Sequence, residues 1–326
     1  ALPSPGVANL KIDSRASRTA ALLPSFSRLC HPPENDTMAR SYEKTGYLHD
    51  DFRIFYLQNP EQKTIPFHYH DFHKLLIFLN GNAGYIIESQ QYDLQSGDVI
   101  LVPAGEIHRP VIYDGNSYER MIFYISPTFL RQHRQDEADL ERCFCVAKDR
   151  GAHLIRPELS RTEHTAVDSS TAGLFIRSVR ELASSFSSPR YCNSLYQKSK
   201  FLELLILLNE MLMEDEGHYA APVTSNPTVQ AILDYINDHL TEEELSIDQI
   251  AGAVFLNRSY LMHLFRDETG FTIGSYISEK RLFHARSLIR NGSSVTDACF
   301  ASGFKNYSAF YYAYRKKYKT EQEYLL

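Results

Sequence analysis

The chain has 326 residues, 43% of them hydrophobic, and a formal net charge of −6. That length accommodates two domains with separate cores, and no apolar run reaches the length of a membrane span. The five cysteines, Cys30, Cys143, Cys145, Cys192 and Cys299, show neither a disulfide framework nor a paired CxxC. Free thiols in a reducing cytoplasm are therefore expected, although Cys143-x-Cys145 is a weak metal-binding candidate.

Residues 1–37 are rich in Ala, Ser and Pro and hold no lasting period. They are expected to be a disordered or non-native extension, with Met38 as the natural start. The first strand-like run is Phe52–Leu57. Lys74–Leu79, Gly84–Glu88, Asp98–Val102 and Arg120–Ile125 follow, separated by turn signals at Asn80-Gly81-Asn82, Ser96-Gly97-Asp98 and Asp114-Gly115-Asn116. Short strands at this spacing predict a small barrel or jelly roll over 38–125.

Residues 126–216 change to a helical period. Leu195–Met213 carries Leu195, Leu202, Leu205, Ile206, Leu208, Asn209 and Leu212 on a broad apolar face, which fits packing on the barrel, pairing with a second copy, or both. Pro222 and Pro227 then break the pattern, and 217–227 reads as a linker.

Residues 228–326 carry two helix-turn-helix signatures in tandem. In the first, Ser246 is placed to cap a helix whose Ile247, Ile250 and Ala251 face inward, and the small Ala251 and Ala253 allow a close turn. Leu261, Leu264 and Phe265 form the buried stripe of the next helix. That leaves Arg258, Ser259, Met262, His263 and Arg266 able to meet DNA. In the second, Ala298, Phe300 and Ala301 are expected to point inward, with Gly303 taking the positive φ at the turn. Phe310 and Tyr314 are the inward pair of the last helix, and Lys305, Tyr307, Ser308 and Tyr312 stay outward. Lys316 is a candidate phosphate contact. From Leu256 to Lys319 there are eleven Lys or Arg against four Asp or Glu. This local excess suits a polyanion although the whole chain is acidic. The acidic run Glu242-Glu243-Glu244 is expected to face away from the duplex.

Several of these pieces together resemble the DNA-binding domain of the AraC family of transcription factors: Leu261-x-x-Leu264-Phe265-Arg266, Thr269-Gly270, Arg281-Leu282-x-x-Ala285-x-x-Leu288-Ile289 and Ala301-x-Gly303-Phe304-x-Asn306-Tyr307-Ser308-x-Phe310. The resemblance implies two three-helix subdomains bridged by a long helix, here about Ile273–Arg290, with recognition helices in adjacent major grooves. It implies base contacts at Arg258, Ser259, Met262 and His263, and at Tyr307, Ser308 and Tyr312. The chain departs from the family at Tyr314, where Phe is usual, and in its tail, which lacks the usual Gly-x-x-Pro-x-x-Tyr-Arg.

Pro66-Phe67-His68-Tyr69-His70 and Gly97 to His108 resemble the two cupin motifs. In cupins two His, a Glu and a last His hold a metal. Here His68, His70 and His108 stand at the His positions, but Lys74 stands where the Glu is expected. These three His are the candidate effector-binding residues and the candidate metal ligands, for zinc, iron or nickel. No cofactor is required by this reading.

The fold expected is α+β: a cupin-like β-barrel (jelly roll) followed by helices, then an all-α tandem helix-turn-helix domain. The function expected is a cytoplasmic, non-enzymatic DNA-binding transcription regulator. It would act as a homodimer through residues 38–220 on double-stranded DNA. A small-molecule effector in the barrel would control it, a sugar or related metabolite being the class the resemblance implies. A metal-sensing regulator and a metal-dependent cupin enzyme using the three His are the alternatives.

Overall fold

The computed structural model describes residues 48, 50–58, 65–113, 117–135, 138–157, 170–188, 190–214 and 218–318. The expectations for residues 1–37, Met38, Cys30, the turn at 114–116 and the tail beyond 318 lie outside them.

The N-terminal half is built from β1 (Phe52–Gln58), β2 (His73–Gly81), β3 (Ala83–Ile87), β4 (Gln90–Asp93), β5 (Val99–Val102), β6 (His108–Ile112) and β7 (Tyr118–Ile125). Next come α1 (Pro127–Gln132), α2 (Arg142–Arg150), β8 (Leu154–Ile155), α3 (Thr171–Ser187), α4 (Asn193–Glu214), β9 (Tyr219–Ala220) and β10 (Thr224–Ser225). Among the described residues the strands form two sheets, ordered β1-β7-β2-β5-β8-β9 and β10-β4-β3-β6. The stretch 217–227, expected as a linker, thus contributes a short strand to each sheet, and the larger sheet extends beyond residue 125.

Side chains alternate across a strand, and β2 shows what this does here. Leu75 and Ile77 join a core shared with Val179, Leu182, Leu204, Leu205 and Leu208 of α3 and α4. Leu76 and Phe78 join the barrel interior with Tyr85, Ile100 and Ile122. Both faces of the strand are therefore buried. Gly81 ends β2 at φ 130, and a Cβ there would lie 2.2 Å from the Ser117 carbonyl oxygen, so only glycine fits. Asn209, expected on an apolar face, is buried and serves as a polar anchor. Its Oδ1 accepts from the Cys143 amide at 2.9 Å, and its Nδ2 donates to the Leu205 carbonyl at 2.8 Å. Cys143 is buried and Cys145 exposed, both free, so this pair does not form one ligand cluster.

The C-terminal half contains α5 (Pro227–Asp238), α6 (Ile247–Ala253), α7 (Arg258–Thr269), α8 (Ile273–Arg290), α9 (Val295–Ala301) and α10 (Tyr307–Lys317). Six caps fix these helices. Asn226, Ser246, Asn257, Thr272, Ser294 and Asn306 each accept a first-turn amide, Ser246 within a full capping box with Gln249. Helix α8 spans the bounds expected and separates two small cores, one over α5–α7 and one over α9–α10. The architecture is the α+β order that the sequence predicts: a β domain, then helices, then a helical pair of helix-turn-helix units.

Candidate functional site: a DNA-reading face and a cationic barrel cavity

In the first helix-turn-helix unit, Ile250 and Ala251 are buried with Leu261 and Phe265, while Ala253 is exposed and takes no part in the close turn. In the second, Ala298 and Cys299 are buried. Phe300, expected inward, is 53% exposed, and Ala301 is exposed too. Helix α9 repeats the pattern of α6: Ala298 and Cys299 match Ile250 and Ala251, which puts Phe300 at the place of the exposed Gly252. The αL turn residue is Gly303 in the second unit (φ 84) and Phe255 in the first (φ 55). A Cβ on Gly303 would meet the Leu240 carbonyl oxygen at 2.8 Å and Arg281 Nε at 2.9 Å. Gly303→Ala is therefore expected to cost at least about 1–2 kcal/mol for the left-handed conformation alone, read as a lower urea midpoint. An unchanged midpoint would show that the turn relaxes freely.

Arg258, Ser259, Met262, His263 and Arg266 on α7, Tyr307, Ser308 and Tyr312 on α10, and Lys305 just before α10 are all exposed. Two of the cations are engaged within the protein. Arg258 pairs with Asp248 at 2.7 Å and Lys305 with Glu244 at 2.9 Å. Of the acidic run 242–244, expected to face away from the duplex, Glu244 is brought by the turn before α6 against Lys305, one of the candidate DNA contacts. Lys316 is exposed but also lines a cleft of about 550 Å³ between α10, α8 and the barrel.

The barrel site begins at the extended segment 65–72, which leads into β2. From His68 onward the even-numbered residues face inward, with Ile65 and Tyr69 also reaching the cavity rim. His68, His70, Phe72 and Lys74 line a cavity of about 100 Å³ with Arg120, Tyr118 and Tyr124. His108, at the start of β6, pairs with His68 in an isolated bridge. One ring nitrogen from each of His68, His70 and His108 lies within 4.8 Å of the others, as the sequence spacing predicts. Their tautomers follow from their partners. The Nδ1 atoms of His68, His70 and His108 lie 2.9, 2.8 and 3.0 Å from the carbonyl oxygens of Pro66, Phe72 and Glu106. A carbonyl can only accept, so each Nδ1 carries the proton and each Nε2 a lone pair. Burial, with Lys74 adding to it, holds all three rings neutral: His68 is pushed down to about 4, and His70 and His108 well below the usual imidazole value.

Lys74 points into this cavity. It shares the parity of Leu76 and Phe78, whereas His73 has the parity of Leu75 and faces the helices, meeting Glu141 at 3.1 Å. Arg120 was not singled out by the sequence. Its one signal is a second charged residue, after Glu119, at the head of the apolar run of β7, and it pairs in register with Phe78 on the same inner face. Lys74 and Arg120 are each 6% exposed. Burial and the neighbouring Arg120 push the Lys74 ammonium down to about 7.

The odd residues of the same segment face the C-terminal half. Phe67 packs with the core of α5–α7 and lies under the Arg109 guanidinium at 4.4 Å. Tyr69 bonds to Glu279 of α8, which Lys317 of α10 also meets. Asp71 pairs with the buried Arg286 of α8 and lies 3.6 Å from Arg290. Nearby, Glu88 accepts from Lys280 at 3.3 Å and from the Tyr276 hydroxyl at 3.4 Å.

Residues 51–203 match the AraC-like ligand binding domain family, and residues 250–321 match a helix-turn-helix domain family. The chain belongs to the AraC family of transcription regulators. It joins a ligand-binding domain to a helix-turn-helix domain that binds DNA. It is 25% identical over 264 residues to the HTH-type transcriptional activator RhaS of Shigella sonnei, covering 79% of this chain and 86% of that protein, and the Escherichia coli RhaS matches to the same extent. Among solved structures, ToxT from Vibrio cholerae is 17% identical over 85% of this chain and 98% of its own, with a TM-score of 0.33. The C-terminal domain of the response regulator yesN from Fusobacterium nucleatum is 19% identical over 29% of this chain and 98% of its own, with a TM-score of 0.28. Among the described residues no helix is long and apolar enough to cross a membrane.

A cupin-type metal fits this AraC-type barrel only in part. Three neutral imidazoles with their outer nitrogens tied to carbonyls are a suitable donor set. The wall around them carries two cations and no carboxylate. A divalent cation alone therefore meets repulsion where cupins supply a counter-charge.

Proposed function

We propose that this regulator reads DNA through α7 and α10 and that an effector in the barrel controls that reading through the segment Pro66–Phe72. The observation that carries the control step is the alternation of this segment. His68, His70 and Phe72 touch the cavity, Phe67 and Asp71 touch the DNA-reading half, and Tyr69 and His68 reach both. A ligand that shifts one set of side chains must shift the other, because they hang from one extended backbone. The differential contact of the ligand with the two arrangements supplies the coupling.

On α7, Arg258, Ser259, Met262, His263 and Arg266 are the proposed DNA contacts. On the second unit they are Lys305, Tyr307, Ser308 and Tyr312, with Lys316 on phosphate. Arg258→Ala and His263→Ala are each expected to weaken operator binding by about 1–3 kcal/mol if they reach base edges. For Arg258, the exchange of its Asp248 partner for a base places the loss toward the lower end. Lys316→Ala is expected to weaken operator and random duplexes alike. Gel-shift titrations on both duplexes at two salt concentrations decide this. Equal losses on the two DNAs for Arg258→Ala would reject base readout there.

The remaining parts of the reading are a homodimer, a cytoplasmic location where the DNA is, and no enzymatic activity. Support for the last comes from the relatives, which are transcription regulators. A metal-sensing variant of the same function is favoured by one observation, the three fixed Nδ1–H tautomers that leave three Nε2 lone pairs facing each other. Stoichiometric metal that survives dialysis and is lost in His68→Ala would establish it.

A further inference from the structure

The chemical class of the effector follows from the cavity's charge, on the reading that the barrel holds the effector. Lys74 and Arg120 face the same cavity from adjacent antiparallel strands, Lys74 opposite Tyr124 and Arg120 opposite Phe78. Neither has a carboxylate partner among the described residues. Arg120 donates to the Tyr118 carbonyl at 2.6 Å and lies over the Tyr118 ring, and Lys74 lies 5.5 Å from the Tyr85 ring centre. The carboxylate next to Arg120 in sequence, Glu119, is on the other face of β7, bonded to Tyr56 and Gln58. Aromatic faces and one carbonyl balance neither the buried Arg120 guanidinium nor a charged Lys74 beside it, and an unpaired buried charge is costly. Elsewhere Arg286 has Asp71 and the half-buried Lys280 has Glu88, while the buried Arg281 is met by the Leu240 and Glu242 carbonyls. The barrel cavity is where two such side chains face one space, beside the cluster of three imidazoles.

We propose that the barrel is an oxyanion site, taking a small carboxylate or phosphate ester whose charged group lies between Lys74 and Arg120. Its hydroxyls would donate to the Nε2 atoms of His70 and His108, which are buried and have no hydrogen-bond partner in the protein. Leu57, Ile65, Pro110 and Ile122 complete the wall and leave an apolar side for the ligand body. A guanidinium presents its N–H fork to two oxygens at once, which suits carboxylate and phosphate equally.

Inorganic phosphate is the class probe, being small enough to enter and carrying no body to misfit. The full-length protein, stripped of metal, is melted with rising phosphate and with sodium chloride at matched ionic strength. Phosphate is expected to raise Tm by at least about 3 °C beyond the chloride control at 20-fold excess over Kd. Lys74→Met and Arg120→Gln are each expected to abolish that rise, and Arg120→Lys to keep part of it. Without phosphate, Lys74→Met is expected to melt no lower than the native protein, since it replaces a buried amine that has no carboxylate partner by an apolar side chain of similar length, so its loss of response is not a loss of fold. No rise in the native protein would overturn the proposal. So would an equal rise in both neutral variants, which would assign the phosphate to the DNA-reading face. A rise with zinc alone that vanishes in His68→Ala, with none for phosphate, would give the cavity to a cation and overturn it as well. Operator binding, measured on the same samples, decides the regulator reading separately.

Discussion

Arg286→Met is expected to destabilise the folded protein by about 3–5 kcal/mol, the cost of leaving one partner of a buried ion pair behind. Arg286 is 1% exposed, and its partner Asp71 is buried at the junction of barrel and α8. Two groups would still face the abandoned carboxylate. The Leu48 amide donates to it at 3.3 Å, and Arg290 lies 3.6 Å away. Arg290 is half exposed and screened by water, so it offsets only part of the loss, and a value near 3 kcal/mol is the one expected. The double variant Asp71→Leu with Arg286→Met is expected to recover most of that stability, because an apolar pair of similar volume has no charge to strand. Urea unfolding of the three proteins measures both effects. A double variant as unstable as the single one would show that the cost lies in packing, for instance against the Tyr318 ring that stacks under Arg286. The double variant also tests the control step. It keeps the cavity residues and the reading helices but loses one of the contacts between them, leaving Tyr69–Glu279 and Glu88–Lys280 in place. The response of operator affinity to a barrel ligand is therefore expected to weaken.

Leu205→Ala and Ile206→Glu, neighbours on α4, are expected to fail in opposite ways. Leu205 is fully buried among β-strand residues and Phe201. Its truncation is expected to cost about 2–5 kcal/mol while leaving assembly unchanged wherever the protein remains folded. Ile206 is exposed, in one stripe with Leu195 and Met213 that no described residue covers. Replacing it by Glu is expected to change stability by less than about 0.5 kcal/mol and to separate a dimer into monomers. Light scattering of the full chain at micromolar concentration, without DNA, reads the second effect. A native monomer under those conditions would remove the pairing role from α4 and leave it a packing helix alone.

Most of the fold was legible because local chemistry dictates it. Ser246 announces a helix start by the amide it can accept, as Asn257, Thr272, Ser294 and Asn306 prove to do as well, and α8 begins and ends where the family resemblance places it. The turn glycine Gly303 is legible for the same reason, since its φ is forbidden to most side chains. The convergence of His68, His70 and His108 was legible from spacing. What failed locally was Phe300. Its helix is only seven residues long, and two apolar side chains in succession leave the inward one undecided until the neighbouring core selects Cys299. Long-range features were not legible at all. The run Lys74-Leu75-Leu76-Ile77-Phe78-Leu79 is apolar at both parities, because barrel and helices bury both faces of β2. The sequence therefore could not say which way Lys74 points, and only the docking of α3 and α4 on the odd face turns it inward. Arg120 was hidden for the same reason, and the pairs Asp71–Arg286 and Lys305–Glu244 join residues 215 and 61 positions apart. Periodicity and capping act within a few residues and are written in the chain. Charge balance inside a cavity and contact between two halves depend on which faces meet, and that only tertiary packing decides.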